Sequence, residues 1–196
     1  MFTGGANDGM HTQEPFAHAP YIRPWNAPKY HAQQLRAVSF AKATNQRVLW
    51  IVARDWLVAS GDEKLTPQRV EKLRSQCLHL HDKKTAGIMG LFPAVLNLPV
   101  RITQTEDASA GAVKNARGTL IGWSLPDMEA TRVQGLTEQE VVLEQRPLQL
   151  LIKLKSPTGN LKSAYGVGVY CMKPRIRVWS RDNAGYAKVR RNWNSW

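Results

Sequence analysis

From Gly87 onward helical spacing fades and the chain breaks into short apolar runs: "GIMGLFPAV", "LPVRITQT", "TLIGWSL", "EVVLEQ", "LQLLIKL", "GVGVYCM" and "PRIRVWSR". Turn signals part them, the densest being Ser156-Pro157-Thr158-Gly159-Asn160. A chain divided this way is expected to build a twisted antiparallel, partly barrel-like β region. No internal repeat accompanies it.

Ahead of that region the pattern is helical. In "KYHAQQLRAVSFAKATNQ", Tyr30, Leu35, Val38 and Ala41 recur at roughly helical spacing, predicting an amphipathic helix that ends near Asn45. "RVLWIVARD" is apolar and rich in β-branched residues, the signature of a buried strand. Thr66 and Pro67 stand as an N-cap and first helical residue, with Val70, Leu73, Cys77 and Leu80 following on one face. The expected fold class is therefore α+β. Residues 1–20, rich in Gly, Pro, His and polar residues, predict a flexible tail.

Charge narrows the range of partners. The 196 residues carry 27 Lys and Arg against 15 Asp and Glu, a net charge of +12 that favours a polyanion. The excess is uneven. Residues 21–84 hold twelve basic and five acidic side chains, residues 104–150 four and seven, and residues 173–191 seven and one. No apolar run approaches the ~18 residues that span a bilayer, so no membrane partner is expected. Cys77 and Cys171 lack CxxC spacing and read as reduced thiols, which predicts a soluble, intracellular protein without a zinc site.

The basic segment 173–191 interleaves charge with Trp179 and Tyr186, the pairing that holds single strands by phosphate contact and base stacking. An equal reading is a sheet edge on which Arg175 and Arg177 face solvent while Ile176 and Val178 face the core. Other motifs are weaker. His79 and His81 in "HLHD" do not share a helix face, and "YGVGVYC" lacks the third Gly and the helix of a dinucleotide site. "RVQGLTEQE" contains Gln-Gly-x-Thr, similar to a helicase motif, and Thr137 with Glu140 is equally a capping box.

"LPVRITQTEDASAGAVKNARGTLIGW", Leu98 to Trp123, resembles the segment of Pif-type and RecD-like superfamily-one DNA helicases in which a "PV-x-L" strand leads through a charged loop into "G-x-V-N-G-A-R-G-T-V". Pro99, Val100, Gly111, Val113, Ala116, Arg117, Gly118 and Thr119 match that pattern. Lys114 and Asn115 replace its Asn-Gly, and Asn115 is expected to keep the turn by adopting the left-handed conformation. "YIRPWNAPKYHAQQLRAVSFA" is similar to the start of the second motor domain of that family, with Asn26 matching its Asn. "QLLIKLKSPTGNLKSAYGVGVYCMKPRIRVW" is similar to the strand-rich passage that returns to the motor core.

The resemblance implies a fragment of an ATP-dependent DNA helicase. Residues 21–86 would be a partial, RecA-like second motor domain, 87–191 its β-rich insertion and basic strand, and 192–196 a C-terminal tail. The family hydrolyses ATP with Mg²⁺ on a Gly-rich loop ending in Gly-Lys-Ser/Thr, and this sequence has no Gly-Lys dipeptide, so no cofactor and no catalytic residue are expected in this chain. The implied partners are single-stranded DNA, with RNA as the second candidate, and the missing motor domain. The residues implied to meet the strand are Arg23 and Asn26 near a strand end, Arg101, Lys114, Asn115 and Arg117 along the insertion, and Arg175, Arg177, Lys188, Arg190 and Arg191 as an electrostatic track. Arg117 has a competing role, bonding loop carbonyls after the turn. The rival readings are a stand-alone basic β-barrel module binding single-stranded DNA or RNA, and a structural protein whose charge serves only solubility.

Overall fold

The computed structural model describes residues 27–58, 66–80, 84–159, 161–179 and 188–192. Helix α1, Ala27–Ala43, packs the small side chains Ala37 and Ala41 against Val48 and Val95, with Val38 and Phe40 at the margin. Leu35, expected on the buried face, is instead exposed, because close approach favours the alanine side of the helix. The helix stops where its sequence says it should. Asn45 takes φ 51°, its N–H reaching the Lys42 carbonyl while that of Gln46 reaches Ala41, a Schellman closure.

"RVLWIVARD" forms two strands rather than one: β1, Val48–Val52, and β2, Arg54–Val58. Ala53 is the pivot, its N–H bonded to the Gly90 carbonyl at 2.8 Å. Helix α2, Pro67–Leu78, begins as expected, the Thr66 carbonyl accepting from the Val70 N–H at 3.0 Å. It buries Leu73 and Cys77, the latter against Trp179.

Beyond residue 86 the strands are β3, Leu91–Val95; β4, Pro99–Arg101; and β5, Arg117–Ser124. Then comes α3, Asp127–Gly135, a helix that the reading of this half as all β did not include. Asp127 and Glu129 in its first turn oppose the positive end of the helix dipole. It ends before Thr137, which lies in a connection, and Glu140 opens β6, Glu140–Val142, so the expected capping box does not form. The remaining strands are β7, Gln149–Leu154; the two-residue pair β8, Lys162–Ser163, and β9, Gly166–Val167; β10, Val169–Met172; β11, Ile176–Trp179; and β12, Lys188–Asn192.

The fold class is α+β, and its sheets are open. Their orders are β3-β1-β6, β10-β7-β5-β4, β11-β12-β2 and β8-β9, so no closed barrel forms among the described residues. β1 runs antiparallel to β3 and parallel to β6, which means the sequence division at residue 86 passes through one sheet. One core unites them: Leu49 and Ile51 from β1 pack with Leu120, Leu150, Ile152 and Met172 from the four-stranded sheet. Each fully buried Leu or Ile of this set contributes about 2 kcal/mol. That core fixes the opposite, outward face of the β10-β7-β5-β4 sheet.

Candidate nucleic-acid interface

Alternation along three adjacent strands decides which residues face outward. Val100, Gly118 and Leu154 occupy one cross-strand row, and Gly118 and Leu154 are buried. The next row therefore points away from the core. In it Arg101 lies directly opposite Arg117, and one step beyond the β5–β7 register the Lys155 N–H donates to the Arg117 carbonyl at 2.9 Å. All three side chains are exposed, and none makes an ion pair or side-chain hydrogen bond among the described residues. Three cations thus sit side by side across about 10 Å of sheet. Like charges directly opposite one another repel, so the row is a feature that folding alone disfavours.

A loop from Ile102 to Ala116 joins β4 to β5 and brings a fourth cation to the same end. Its neck is closed by Ile102 N–H to Ala116 O at 2.9 Å and Asn115 N–H to Ile102 O at 2.7 Å. Asn115 takes φ 70°, the left-handed turn conformation expected of it. Lys114 and Asn115 are exposed at the turn, and the Lys114 N–H is held by Thr105 Oγ1 at 3.2 Å. Farther along, Asp107 accepts from Ser109 Oγ at 2.6 Å and from the Ala110 N–H at 3.1 Å, bonds that hold its carboxyl below the usual range. The competing role for Arg117, bonding loop carbonyls, finds no such bond among the described residues.

Arg175 and Arg177 point the other way from the sheet-edge expectation. Ile176 and Val178 are exposed, whereas Arg175 ion-pairs with Glu106 at 2.8 Å and Arg177 reaches Gln104 Oε1 at 3.4 Å. The Glu106 side chain is only 2% exposed. A buried carboxylate needs a paired cation, and this one takes Arg175 for the purpose, bracing β11 onto the loop. In β12, Arg191 holds the register position between Arg177 and Asp55, Arg190 that between Val178 and Trp56, and Lys188 lies opposite Val58. Arg23 and Asn26 lie outside the described residues, as do the 1–20 tail and residues 193–196.

Lys153 and Lys155 belong to this face and escaped the sequence reading. The signal was present in "LIKLKS", whose period of two places both on one side of β7. Lys153 Nζ donates to the Val167 carbonyl, leaving Lys155 as the freer of the two. No group of three or more His, Cys, Asp or Glu is placed to hold a metal among the described residues, and no helix there is long and apolar enough to cross a membrane.

No family model matches the sequence, and no curated protein matches it. Among solved structures, the chain is similar to the crystal structure of the Pif1 helicase from Candida albicans, with a TM-score of 0.44 and 12% identity. The match covers 90% of this chain and 36% of that one, so the chain spans about a third of the length of the structure it matches. A likeness of this degree carries no weight for function, which has to rest on the residues themselves.

Proposed function

We propose that the chain is the nucleic-acid-binding portion of a Pif-like, ATP-dependent DNA helicase, a partial RecA-like unit with a β-rich insertion that grips single-stranded DNA. The observation that carries this reading is the row Arg101, Arg117 and Lys155 on one outward sheet face, without side-chain partners among the described residues, with Lys114 at its end. Phosphates laid along that row neutralise charges the fold itself leaves facing each other. Asn115 offers an amide to a sugar or base edge. Arg23, Asn26, Lys188, Arg190 and Arg191 extend the contact on the strength of the sequence resemblance. Arg175 and Arg177 serve the loop first and the strand second. With no Gly-Lys dipeptide to cradle a triphosphate, the chain is not expected to hydrolyse ATP alone.

Binding of a fluorescent oligothymidylate, followed by anisotropy across a salt series, tests the proposal. The three cations of the row predict a slope of log affinity against log salt of about −2, steeper with each further contact, at ~0.7 per single-strand contact. Replacing Arg101 and Arg117 together by Ala is expected to flatten the slope by about 1.4. An unchanged slope in that variant moves the strand off this face. An oligouridylate in the same assay decides between DNA and RNA.

A further inference from the structure

At the far end of β5 and β7 from the cation row, about 23 Å along the strands, lies a cavity of about 310 Å³. It is walled by Pro126, Pro147, Leu148 and Pro174 on its apolar side and by Arg54, Gln145 and Arg146 on its polar side. The turn that shapes it is firmly held. Leu148 N–H bonds to the Ser124 carbonyl at 2.7 Å, and Arg54 Nη2 donates to the Glu144 carbonyl at 2.8 Å.

The two arginines are poorly matched to their surroundings. Arg146 Nη1 is buried and no acceptor among the described residues reaches it. Neither guanidinium has a carboxylate at ion-pair distance among the described residues; the nearby Glu129 and Glu144 both turn to Arg132 instead, at 2.7 and 3.6 Å. Burial first, and then the charge of Arg54, press Arg146 below the usual arginine value. Arginine keeps its proton under such pressure, so the cost stays in the fold until an anion offsets it.

The chemistry of an offsetting guest follows from the walls. Paired guanidiniums suit the oxygens of phosphate, and with Arg54 Nη2 on the Glu144 carbonyl and Arg146 Nη1 buried, the remaining N–H groups of the two are the donors for an anion in the cavity. Three prolines and a leucine suit an apolar body attached to that phosphate, and the volume is at the small end for organic ligands. We propose that this cavity binds a phosphate monoester carried on a flat apolar body, with a nucleoside monophosphate and the 5′-phosphorylated end of a strand as the two sources of that chemistry. The site is separate from the cation row and stands without it.

Calorimetric titration of the full chain with adenosine 5′-monophosphate tests the proposal, with inorganic phosphate and adenosine as partial probes. The monophosphate is expected to bind at least tenfold more tightly than either. Arg146→Met is expected to weaken it at least tenfold while leaving the melting temperature of the ligand-free protein equal to or above that of the parent, since Met fills the same space without a desolvated charge. Arg54→Met, which also gives up the bond to Glu144, is expected to weaken it similarly at some loss of stability. No binding of the monophosphate, equal binding by the Arg146→Met protein, or a lower melting temperature in that variant each overturns the proposal, the last because it makes Arg146 a structural cation. A competing oligonucleotide then separates the sources. Displacement by a 5′-phosphorylated strand and not by its 5′-hydroxyl twin identifies a strand end, and displacement by neither identifies the free nucleotide. Failure here with the oligothymidylate salt slope intact removes this site alone.

Discussion

Gly118→Ala is expected to lower the unfolding free energy by about 2 to 3 kcal/mol and to flatten the salt dependence of strand binding with it. A Cβ at this position would stand 2.6 Å from Ile152 Cγ2 and 2.8 Å from the Lys153 carbonyl oxygen. Ile152 is fully buried and cannot swing aside, while the carbonyl belongs to the backbone of the neighbouring strand. Relief therefore requires β5 to part from β7. That movement separates Arg117 from Lys155 and weakens the charge row that the strand is proposed to use. Urea denaturation and the anisotropy salt series on one preparation check both halves. Thr119→Ala, next along β5 on the half-exposed outward face, is the control, expected to change stability by less than about 0.5 kcal/mol. Equal stability of the Gly118→Ala protein would mean that the two strands do not approach as closely as described.

The same glycine shows how far the sequence could be read. "KNARGT" was legible as a tight turn between strands, with Asn115 left-handed, and the turn forms that way. What Gly118 does there depends on Ile152 from another strand, a partner no local pattern reveals. The same division runs through the rest of the fold. Helix α2 and the stop of α1 at Asn45 were written in caps, which act over a few residues. Helix α3 was hidden because its nine residues bury only Glu129 and Val133, too few for a helical stripe. The break of "RVLWIVARD" at Ala53 carries neither Gly nor Pro, so nothing local marks the change of sheet. Arg175 looked solvent-facing on alternation alone, yet Glu106 lies 69 residues away in sequence and draws it inward. The cation row was half legible: Arg101 and Arg117 stood in the quoted motif, whereas Lys155 joined them only through strand pairing.

Glu129→Ala is expected to destabilise the protein by about 2 to 3 kcal/mol, the lower end of the cost of breaking a buried, hydrogen-bonded ion pair, because Arg132 is partly exposed. Its side chain is 1% exposed, and its carboxylate takes two bonds from Arg132, at 2.7 and 3.2 Å, and one from the Glu144 N–H at 2.9 Å. Alanine leaves the Glu144 N–H without its acceptor and leaves Arg132 only the Val142 carbonyl and the more distant Glu144 carboxylate. The effect also carries a pH signature. Arg132 above all, opposed by desolvation and aided by the Glu144 and Gln145 amides, holds the Glu129 carboxyl below the ordinary glutamate value. A folded value below the unfolded one means the stabilisation is complete above about pH 4.3 and drains away as pH falls through the lower, folded-state value. Glu129→Gln keeps the shape and cannot ionise, so its deficit relative to the parent is expected to be largest near neutrality and to shrink in acid. Asp107, whose carboxyl is also held below its ordinary value by Ser109 and the Ala110 N–H, is common to both proteins and cancels from the difference. Urea unfolding of the pair from pH 7 down to pH 3 measures it. A deficit constant with pH would show that Glu129 acts through packing alone. A shrinking one identifies the carboxylate charge, held between Arg132 and the Glu144 N–H, as the source of the stabilisation.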